Sequence, residues 1–216
     1  MITLKNIYKE YINGESTVQV LKDVNFHVKK GSMLAIMGRS GCGKSTLLNI
    51  IGGITFPTSG EVWVDGKKVD FGKSKDLYTL RREYFGYIVQ NFALINKKTV
   101  WENVVLPIQS RKYKKDMVSE LLEEMDILDK KNKYPNNLSN GEKQRVAIAR
   151  ALVNNKKIIL ADEPTGSLDY ENADKIITLL NRLVKERSIT ALVVTHDKEI
   201  AQKCNEVKYI SYGTFT

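Results

Sequence analysis

One glycine-rich segment constrains the fold and chemistry of this chain more than any other feature. It reads GRSGCGKST and lies between an apolar run, MLAIM, and a helical pattern, STLLNIIGG. A G-x-x-x-x-G-K-S spacing between a strand and a helix predicts a loop whose backbone N–H groups surround a chain of phosphates. Lys44 would reach the β- and γ-phosphates, and the Ser45 hydroxyl is suited to Mg²⁺. The residues predicted to bind phosphate in this segment, hereafter the phosphate loop, are Gly38, Arg39, Ser40, Gly41, Cys42, Gly43, Lys44, Ser45 and Thr46.

A pair of carboxylates ends a second apolar run. The segment KKIILADEPTGSLD carries Asp162 and Glu163 directly after a strand pattern. Parallel strands present ligand-binding residues at their carboxyl ends. Asp162 is predicted to hold Mg²⁺ through water, and Glu163 to polarise the water that attacks the γ-phosphate. A solvated turn before Pro164 is the alternative, and the phosphate loop in the same chain favours the catalytic interpretation.

A third segment, LSNGEKQRVAIARAL, combines a Ser-Asn-Gly turn with the start of a helix. Ser139 and Gly141 would offer a hydroxyl and unobstructed N–H groups there, which makes a second anion site. Two separate phosphate-binding helix starts are unusual in one chain. An ordinary helix N-cap is the alternative.

Hydrophobic periodicity predicts an α/β fold with a mainly parallel sheet. Short apolar runs rich in β-branched residues predict buried strands at Met33–Met37, Tyr87–Val89, Ile158–Ala161 and Ala191–Thr195. Helical spacing recurs at Ile176, Leu180, Leu183 and Val184, and again at Val118, Leu121, Leu122 and Met125. The opening stretch to Lys30 alternates apolar and polar residues, and its Asn13-Gly14 pair predicts a hairpin turn.

We expect a single domain, 1–216, made of two parts. Residues 1–90 and 153–216 are predicted to form the nucleotide-binding core, together with an N-terminal antiparallel β subdomain. Residues 91–152 have a mostly helical pattern and are predicted to form an inserted subdomain that carries the LSNGE segment.

Composition excludes several classes of protein. No stretch approaches the roughly 18 consecutive apolar residues of a transmembrane helix, and the N-terminus has no secretory signal pattern. The cysteines, Cys42 and Cys204, have no CxxC or Cys/His neighbourhood, which argues against a metal site with cysteine ligands and against a disulfide scaffold. The net charge of +9 is spread over many lysines without interleaved aromatic residues. We therefore expect a cytosolic protein with a solvated basic face near a membrane, and no nucleic-acid partner.

The order of the motifs resembles that of the ABC-transporter ATPase cassette. The phosphate loop, LSNGE, ADEPTGSLD and VVTHD follow one another, and the match runs from about Leu4 to Gly213. The resemblance implies a P-loop NTPase with a RecA-like core that binds ATP and Mg²⁺ and hydrolyses ATP. LSNGE stands where the family has LSGGQ, the signature that caps the ATP bound by a second copy in a homodimer. We call residues 138–142 the signature loop.

The resemblance also implies roles for four further residues. Gln90, in YIVQNF, matches the glutamine that senses Mg²⁺ and the attacking water, and His196 matches the switch histidine at the γ-phosphate. Asp169 matches the loop that crosses the dimer interface, and Tyr11 matches the aromatic residue that stacks on adenine. The alternatives are a plain polar strand end for Gln90 and core packing for Tyr11.

Two residues depart from LSGGQ. Asn140 replaces the first glycine, and because Asn tolerates positive φ, the loop is expected to keep its shape. Glu142 replaces the glutamine and places a negative charge near a polyanion. That charge is expected to lower the affinity of the closed dimer.

Within the family, the chain resembles the branch of macrolide exporters, lipoprotein-releasing complexes and bacitracin-type peptide-resistance transporters. The resemblance rests on the segments YINGESTVQVLKDV, TVWENVVLPI and YPNNLSNGEKQRVAIARAL. It implies a subunit that drives a separate transmembrane permease from the cytoplasmic face of the membrane. The ATPase of a cell-division permease shares much of this pattern. A DNA-repair-type ATPase head is a further alternative, but the interval from Gln90 to Leu138 is too short for its coiled coil.

The tract FALINKKTVWENVVLP, which follows Gln90, is where the resemblance places the docking helix of the permease. A catalytic residue joined to a partly apolar surface could convert the state of ATP into movement of a second protein. The alternative is that Phe92, Leu94 and Trp101 pack inside the helical subdomain.

Overall fold

Two β-sheets organise the fold, which a computed structural model describes for residues 1–14, 16–108 and 115–215. The strands are β1 (Ile2–Asn13), β2 (Ser16–Val28), β3 (Met33–Met37), β4 (Ser59–Val64), β5 (Lys67–Lys68), β6 (Phe85–Val89), β7 (Ile158–Asp162), β8 (Thr190–Thr195), β9 (Glu206–Ser211) and β10 (Thr214–Phe215). The helices are α1 (Lys44–Ile51), α2 (Ser74–Glu83), α3 (Val100–Val105), α4 (Lys115–Glu124), α5 (Asn140–Leu152), α6 (Tyr170–Glu186) and α7 (Lys198–Gln202). Short 3₁₀ turns lie at Leu128–Lys130 and Pro135–Asn137.

The first sheet is antiparallel, with the order β2-β1-β4-β5. β1 pairs with β2 from Ile2 opposite Val28 to Asn13 opposite Ser16, which confirms the predicted hairpin. β4 pairs with the other side of β1, so this sheet is larger than the hairpin that the sequence predicts. The addition of β4 and β5 depends on pairing with a strand far away along the chain, which local periodicity cannot indicate.

The second sheet has the order β10-β9-β3-β8-β7-β6. Its pairs from β9 to β6 are parallel, and β10 is antiparallel to β9. The four predicted strands are all present as β3, β6, β7 and β8, and the α/β fold class is confirmed. β9 and β10 are additional strands that the sequence patterns do not indicate.

The hydrophobic core lies on both faces of the second sheet. Because successive side chains of a strand point to opposite faces, Ala191 and Val193 of β8 contact one apolar cluster, and Leu192 and Val194 contact the other. The first cluster includes α5 and α6, and the second includes α1 and the antiparallel sheet. Burial on both faces explains why β3 is apolar along its whole length and why β8 is apolar between its two terminal threonines.

Helices and turns make up the described residues between 91 and 152, in line with the predicted helical pattern. The apolar positions predicted from helical spacing are buried in α4 and α6, with Met125 just beyond the end of α4. The division at residues 90/91 and 152/153 stays a prediction. In the part of the chain that the structure describes, no helix is both long and apolar enough to span a bilayer.

Candidate active site

A cleft of about 710 Å³ lies at the carboxyl edge of the parallel sheet. The strands β3, β7, β8 and β6 all end there, because parallel strands share one direction. The cleft is lined by Val20, Ser40, Gly41, Gly43, Lys44, Ser45, Thr46, Gln90, Asp162, Glu163 and His196. The fold therefore brings most of the phosphate loop, the carboxylate pair, Gln90 and His196 to one place. The predicted loop residues Gly38, Arg39 and Cys42 are outside the described lining.

Two glycines of the phosphate loop are required by close packing. Gly43 precedes α1 with a φ of 103°, a left-handed conformation that favours glycine. A Cβ atom at Gly43 would lie 2.8 Å from the carbonyl oxygen of Val20. At Gly38 it would lie 2.3 Å from the carbonyl oxygen of Ile210. The loop can therefore keep its shape only if both positions are glycine, which has no Cβ atom.

The ammonium group of Lys44 closes the phosphate loop from within. Its Nζ donates to the carbonyl oxygens of Gly38 at 2.8 Å and Arg39 at 2.9 Å. The side chain is buried, which strengthens its interactions with charge in the cleft. An ammonium has three donors, so one is left for a phosphate oxygen.

Asp162 and Glu163 stand side by side at the end of β7. Burial raises the pKa of Asp162, the hydrogen bond from Ser45 opposes this rise, and the neighbouring charge of Glu163 adds to it. Glu163 has a φ of 48°, a conformation that is sparsely populated by non-glycine residues and is often found at functional sites. Among the described residues, its buried Oε2 atom has no hydrogen-bond partner.

His196 contacts the catalytic candidate Glu163 directly. It follows β8, and its Nδ1 lies 2.9 Å from Oε1 of Glu163. The His196 side chain is 69% exposed whereas that of Glu163 is 16% exposed, so the imidazole can turn toward a ligand while the carboxylate stays in place.

A series of hydrogen bonds connects Gln90 to the signature loop. The Oγ of Ser167 donates to the carbonyl oxygen of Gln90 at 3.2 Å. The Nδ2 of Asn140 donates to the carbonyl oxygen of Ser167 at 3.1 Å. Asn140 is the first residue of α5, so the tolerance of positive φ expected at this position is not needed. The sequence gives no signal for this role of its side chain.

The signature loop forms a capping box at the start of α5. The N–H of Glu142 donates to Oγ of Ser139 at 3.2 Å, and the N–H of Ser139 donates to Oε2 of Glu142 at 2.7 Å. Oε1 of Glu142 lies 2.6 Å from Nζ of Lys130. The charge predicted at Glu142 is therefore paired, and Lys130 is a residue that sequence reasoning misses.

The remaining predicted residues lie outside the described lining of the cleft. Ser139 and Gly141 are at the start of α5, and Asp169 caps α6 by accepting from the N–H of Asn172 at 2.9 Å. Tyr11 is 42% exposed on β1, with Nζ of Lys9 lying 4.6 Å from the centre of its ring. One chain therefore presents its predicted ATP contacts on more than one surface.

The fold and the cleft define a P-loop nucleotide hydrolase. The sequence profile of the family described as ABC transporter matches residues 21–166, and the chain belongs to this family. The expected resemblance and fold are confirmed.

Individual relatives agree with this assignment. The chain is 42% identical to the macrolide export ATP-binding/permease protein MacB of Bartonella quintana over 99% of its own length and 33% of that protein. It thus spans about a third of this relative. It is 43% identical to the ABC transporter ATP-binding protein MJ0796 of Methanocaldococcus jannaschii, over 99% of this chain and 94% of that protein.

Solved structures of MJ0796 share the fold throughout. The dimeric structure has a TM-score of 0.91 at 43% identity and covers 100% of this chain and 96% of that chain. A dimeric post-hydrolysis structure bound to ADP and Pi has a TM-score of 0.90 at 42% identity with the same coverage. The present chain is an ATP-binding cassette with ATPase activity.

Proposed function

We propose that two copies of this chain close around two Mg-ATP molecules and thereby drive a separate membrane permease of the exporter or peptide-resistance type. The observation that carries this proposal is the separation of the predicted phosphate contacts. The phosphate loop lies in the cleft, whereas Ser139 and Gly141 lie at another helix start outside the described lining. A second copy would supply the missing half of each site, and the dimeric relatives support this arrangement.

Within the cleft, three oxygen-bearing side chains fit Mg²⁺. Ser45 and Asp162 are hydrogen-bonded to each other, and Gln90 lines the same cleft. Hydroxyl, carboxylate and amide oxygens are the hard ligands that Mg²⁺ prefers. Mg²⁺, when bound, neutralises charge on the phosphates. Lys44, which lines the same cleft, would supply a further positive charge.

Glu163 and His196 are proposed to act on the reacting groups. Oε2 of Glu163 is the oxygen left to accept a proton from the attacking water, since Oε1 faces His196. His196 is proposed to contact the γ-phosphate and to hold Glu163 in position. Tyr11 is proposed to stack on adenine, while Asp169 and the signature loop would contact the second copy.

The permease is proposed to dock beside the segment 91–107, from the cytoplasmic face of the membrane. A groove of about 500 Å³ lies there, and its lining includes Ala93, Leu106 and Pro107. Arg81 and Arg150 line the same groove, so acidic side chains on the docking helix would be favoured. Leu94 and Trp101 pack against the hydrophobic core, and Phe92 is outside the described lining of the groove. Leu106 lines the groove and is 48% exposed, which makes it the better candidate for contact.

The direct test is the variant Glu163→Gln. It keeps the shape of the cleft but removes the proton acceptor, so ATP binds without being hydrolysed and the closed dimer accumulates. Sedimentation velocity with Mg-ATP should show dimer for the variant and monomer when ADP replaces ATP. Glu123→Gln, which changes an exposed carboxylate on α4, is the matched control and should behave as the parent protein. A Glu163→Gln protein that binds ATP and stays monomeric at all concentrations would contradict the composite site.

A further inference from the structure

We infer that Lys130 neutralises Glu142 and so makes the signature loop able to accept the phosphates of a nucleotide held by a second copy. The inference rests on the dimer proposed above. Lys130 lies outside the LSGGQ motif, and its ammonium group is paired with the acidic residue at the last position of the motif.

Both oxygens of the Glu142 carboxylate are held at the start of α5. Oε2 accepts from the N–H of Ser139 at 2.7 Å, and Oε1 lies 2.6 Å from Nζ of Lys130. The side chains of Lys130 and Glu142 are 24% and 25% exposed, so the pair is less screened by solvent than an ordinary surface pair. Asp129 competes only weakly with Glu142 for the ammonium group of Lys130, because its Oδ2 lies 3.8 Å from Nζ.

The charges show why the ammonium group matters. A helix N-terminus carries about half a positive elementary charge, whereas an ionised carboxylate carries a full negative charge. Glu142 alone would therefore make the start of α5 repel a polyphosphate. With Lys130 added, the two full charges cancel, and the partial positive charge of the helix remains. The hydrogen bond between the pair lowers the pKa of Glu142 and raises that of Lys130, so both groups are charged at neutral pH.

Backbone contacts fix the segment that carries Lys130 independently of its side chain. The N–H of Val100 donates to the carbonyl oxygen of Lys133 at 2.8 Å, and the N–H of Trp101 donates to that of Lys131 at 2.9 Å. These bonds attach the segment to the start of α3. Replacement of Lys130 should therefore remove the ammonium without displacing the loop, which allows its electrostatic role to be measured.

The experiment compares variants in the Glu163→Gln protein, with the dimerisation constant measured by sedimentation velocity in Mg-ATP. Lys130→Met should weaken dimerisation by about fivefold or more, and Lys130→Arg should restore it. Lys131→Met, which removes the same charge from an exposed neighbouring position, should have less than half of that effect. Binding of a fluorescent ATP analogue to the monomer should be unchanged in Lys130→Met, because the signature loop contacts the nucleotide of the other copy.

A second background separates charge compensation from a general structural role. Glu142→Gln keeps an oxygen for the N–H of Ser139 but removes the charge, so Lys130→Met added to it should change dimerisation by less than about twofold. Equal weakening in both backgrounds, or unchanged dimerisation in Lys130→Met alone, would overturn the inference while leaving the dimer itself intact. If the Glu163→Gln parent does not dimerise at all, the proposed function fails and the inference fails with it.

Discussion

At the scale of single residues, Lys44 and His196 illustrate two kinds of contribution to the same cleft. Lys44 is buried and bonded to the phosphate loop, whereas His196 is exposed and contacts Glu163. The first is positioned to attract phosphate charge whenever nucleotide is bound. The second contacts the group that is proposed to activate water, so its contribution is expected in the transition state.

These positions predict different defects. Lys44→Ala should weaken ATP binding by about tenfold or more, because a buried charge is lost from both the ground state and the transition state. His196→Ala should leave binding nearly unchanged and lower the turnover number by about a hundredfold. Titration with a fluorescent ATP analogue and a phosphate-release assay measure the two quantities. Equal losses of affinity in both variants would contradict the assignment.

The burial of Asp162 is expected to lower the stability of the fold at a residue that is proposed to be needed for activity. Burial raises the pKa of its carboxyl group, so the folded protein binds the proton more tightly than the unfolded chain does. Stability therefore falls as the pH rises from the unfolded pKa to the folded pKa, and the full penalty is present above the folded value. Asp162→Asn should remove this penalty and raise the free energy of unfolding by about 1 kcal/mol at pH 7.

The same variant should lose at least about a hundredfold in ATPase activity, since the carboxylate is proposed to hold Mg²⁺. Thermal unfolding at pH 7 and at pH 3 measures the stability change, which should shrink at the lower pH. Asp76→Asn, at an exposed position in α2, should give no gain. A gain of equal size in both variants would exclude burial of Asp162 as the cause.

At the scale of elements, burial decides what the sequence can predict. β3, β7 and β8 are buried along nearly their whole lengths, so their apolar runs identify them. β9 has exposed and half-buried positions, and its pairing with β3 depends on contacts far apart in the sequence. Local patterns therefore predict the strand that ends at Asp162 and the strand that precedes His196, but not β9 and β10, the two outer strands beyond β3.

The site follows the same rule. The phosphate loop has a local spacing that can be recognised without any knowledge of the fold. Two other contacts of the site join residues from separate segments of the chain. Lys130 pairs with Glu142, and Ser167 donates a hydrogen bond to Gln90. Such contacts form only when the chain has folded, and no local spacing in the sequence predicts them.

The segment around α3 predicts a defect confined to transport. Leu106→Lys places a charge at an exposed apolar position in the groove that Arg81 and Arg150 also line. It should abolish co-purification with the permease, because docking would bury the lysine ammonium at the apolar contact that Leu106 otherwise provides, and burial of an unpaired charge is costly. Basal ATPase activity should remain within about twofold of the parent, since surface changes of this kind rarely disturb the fold.

Ile54→Lys is the matched control, because Ile54 is 54% exposed and is outside the described lining of that groove. Co-purification of this variant should equal that of the parent. A folded Leu106→Lys protein that still co-purifies normally would place the docking surface elsewhere.

At the scale of the whole molecule, a single chain holds parts of two different proposed ATP contacts. The cleft contains the phosphate loop, and the signature loop lies at the start of α5, connected to Gln90 through Asn140 and Ser167. In the proposed dimer, each copy would thus link the nucleotide that it holds to the nucleotide that it caps. Sequence order identifies both motifs, but only the fold shows that the signature loop lies outside the described lining of the cleft.

The position of Gln90 in the sheet has a mechanical consequence. The strands before the phosphate loop, the carboxylate pair and His196 each have a neighbour on both sides, whereas β6, which leads to Gln90, is at the edge of the described sheet. A strand bonded along one side bends more easily than one clamped along two. A force on the segment after Gln90 would therefore deform the edge strand β6 first. The stiffer centre, which leads to the residues proposed to bind the triphosphate, would stay fixed while that force is exerted.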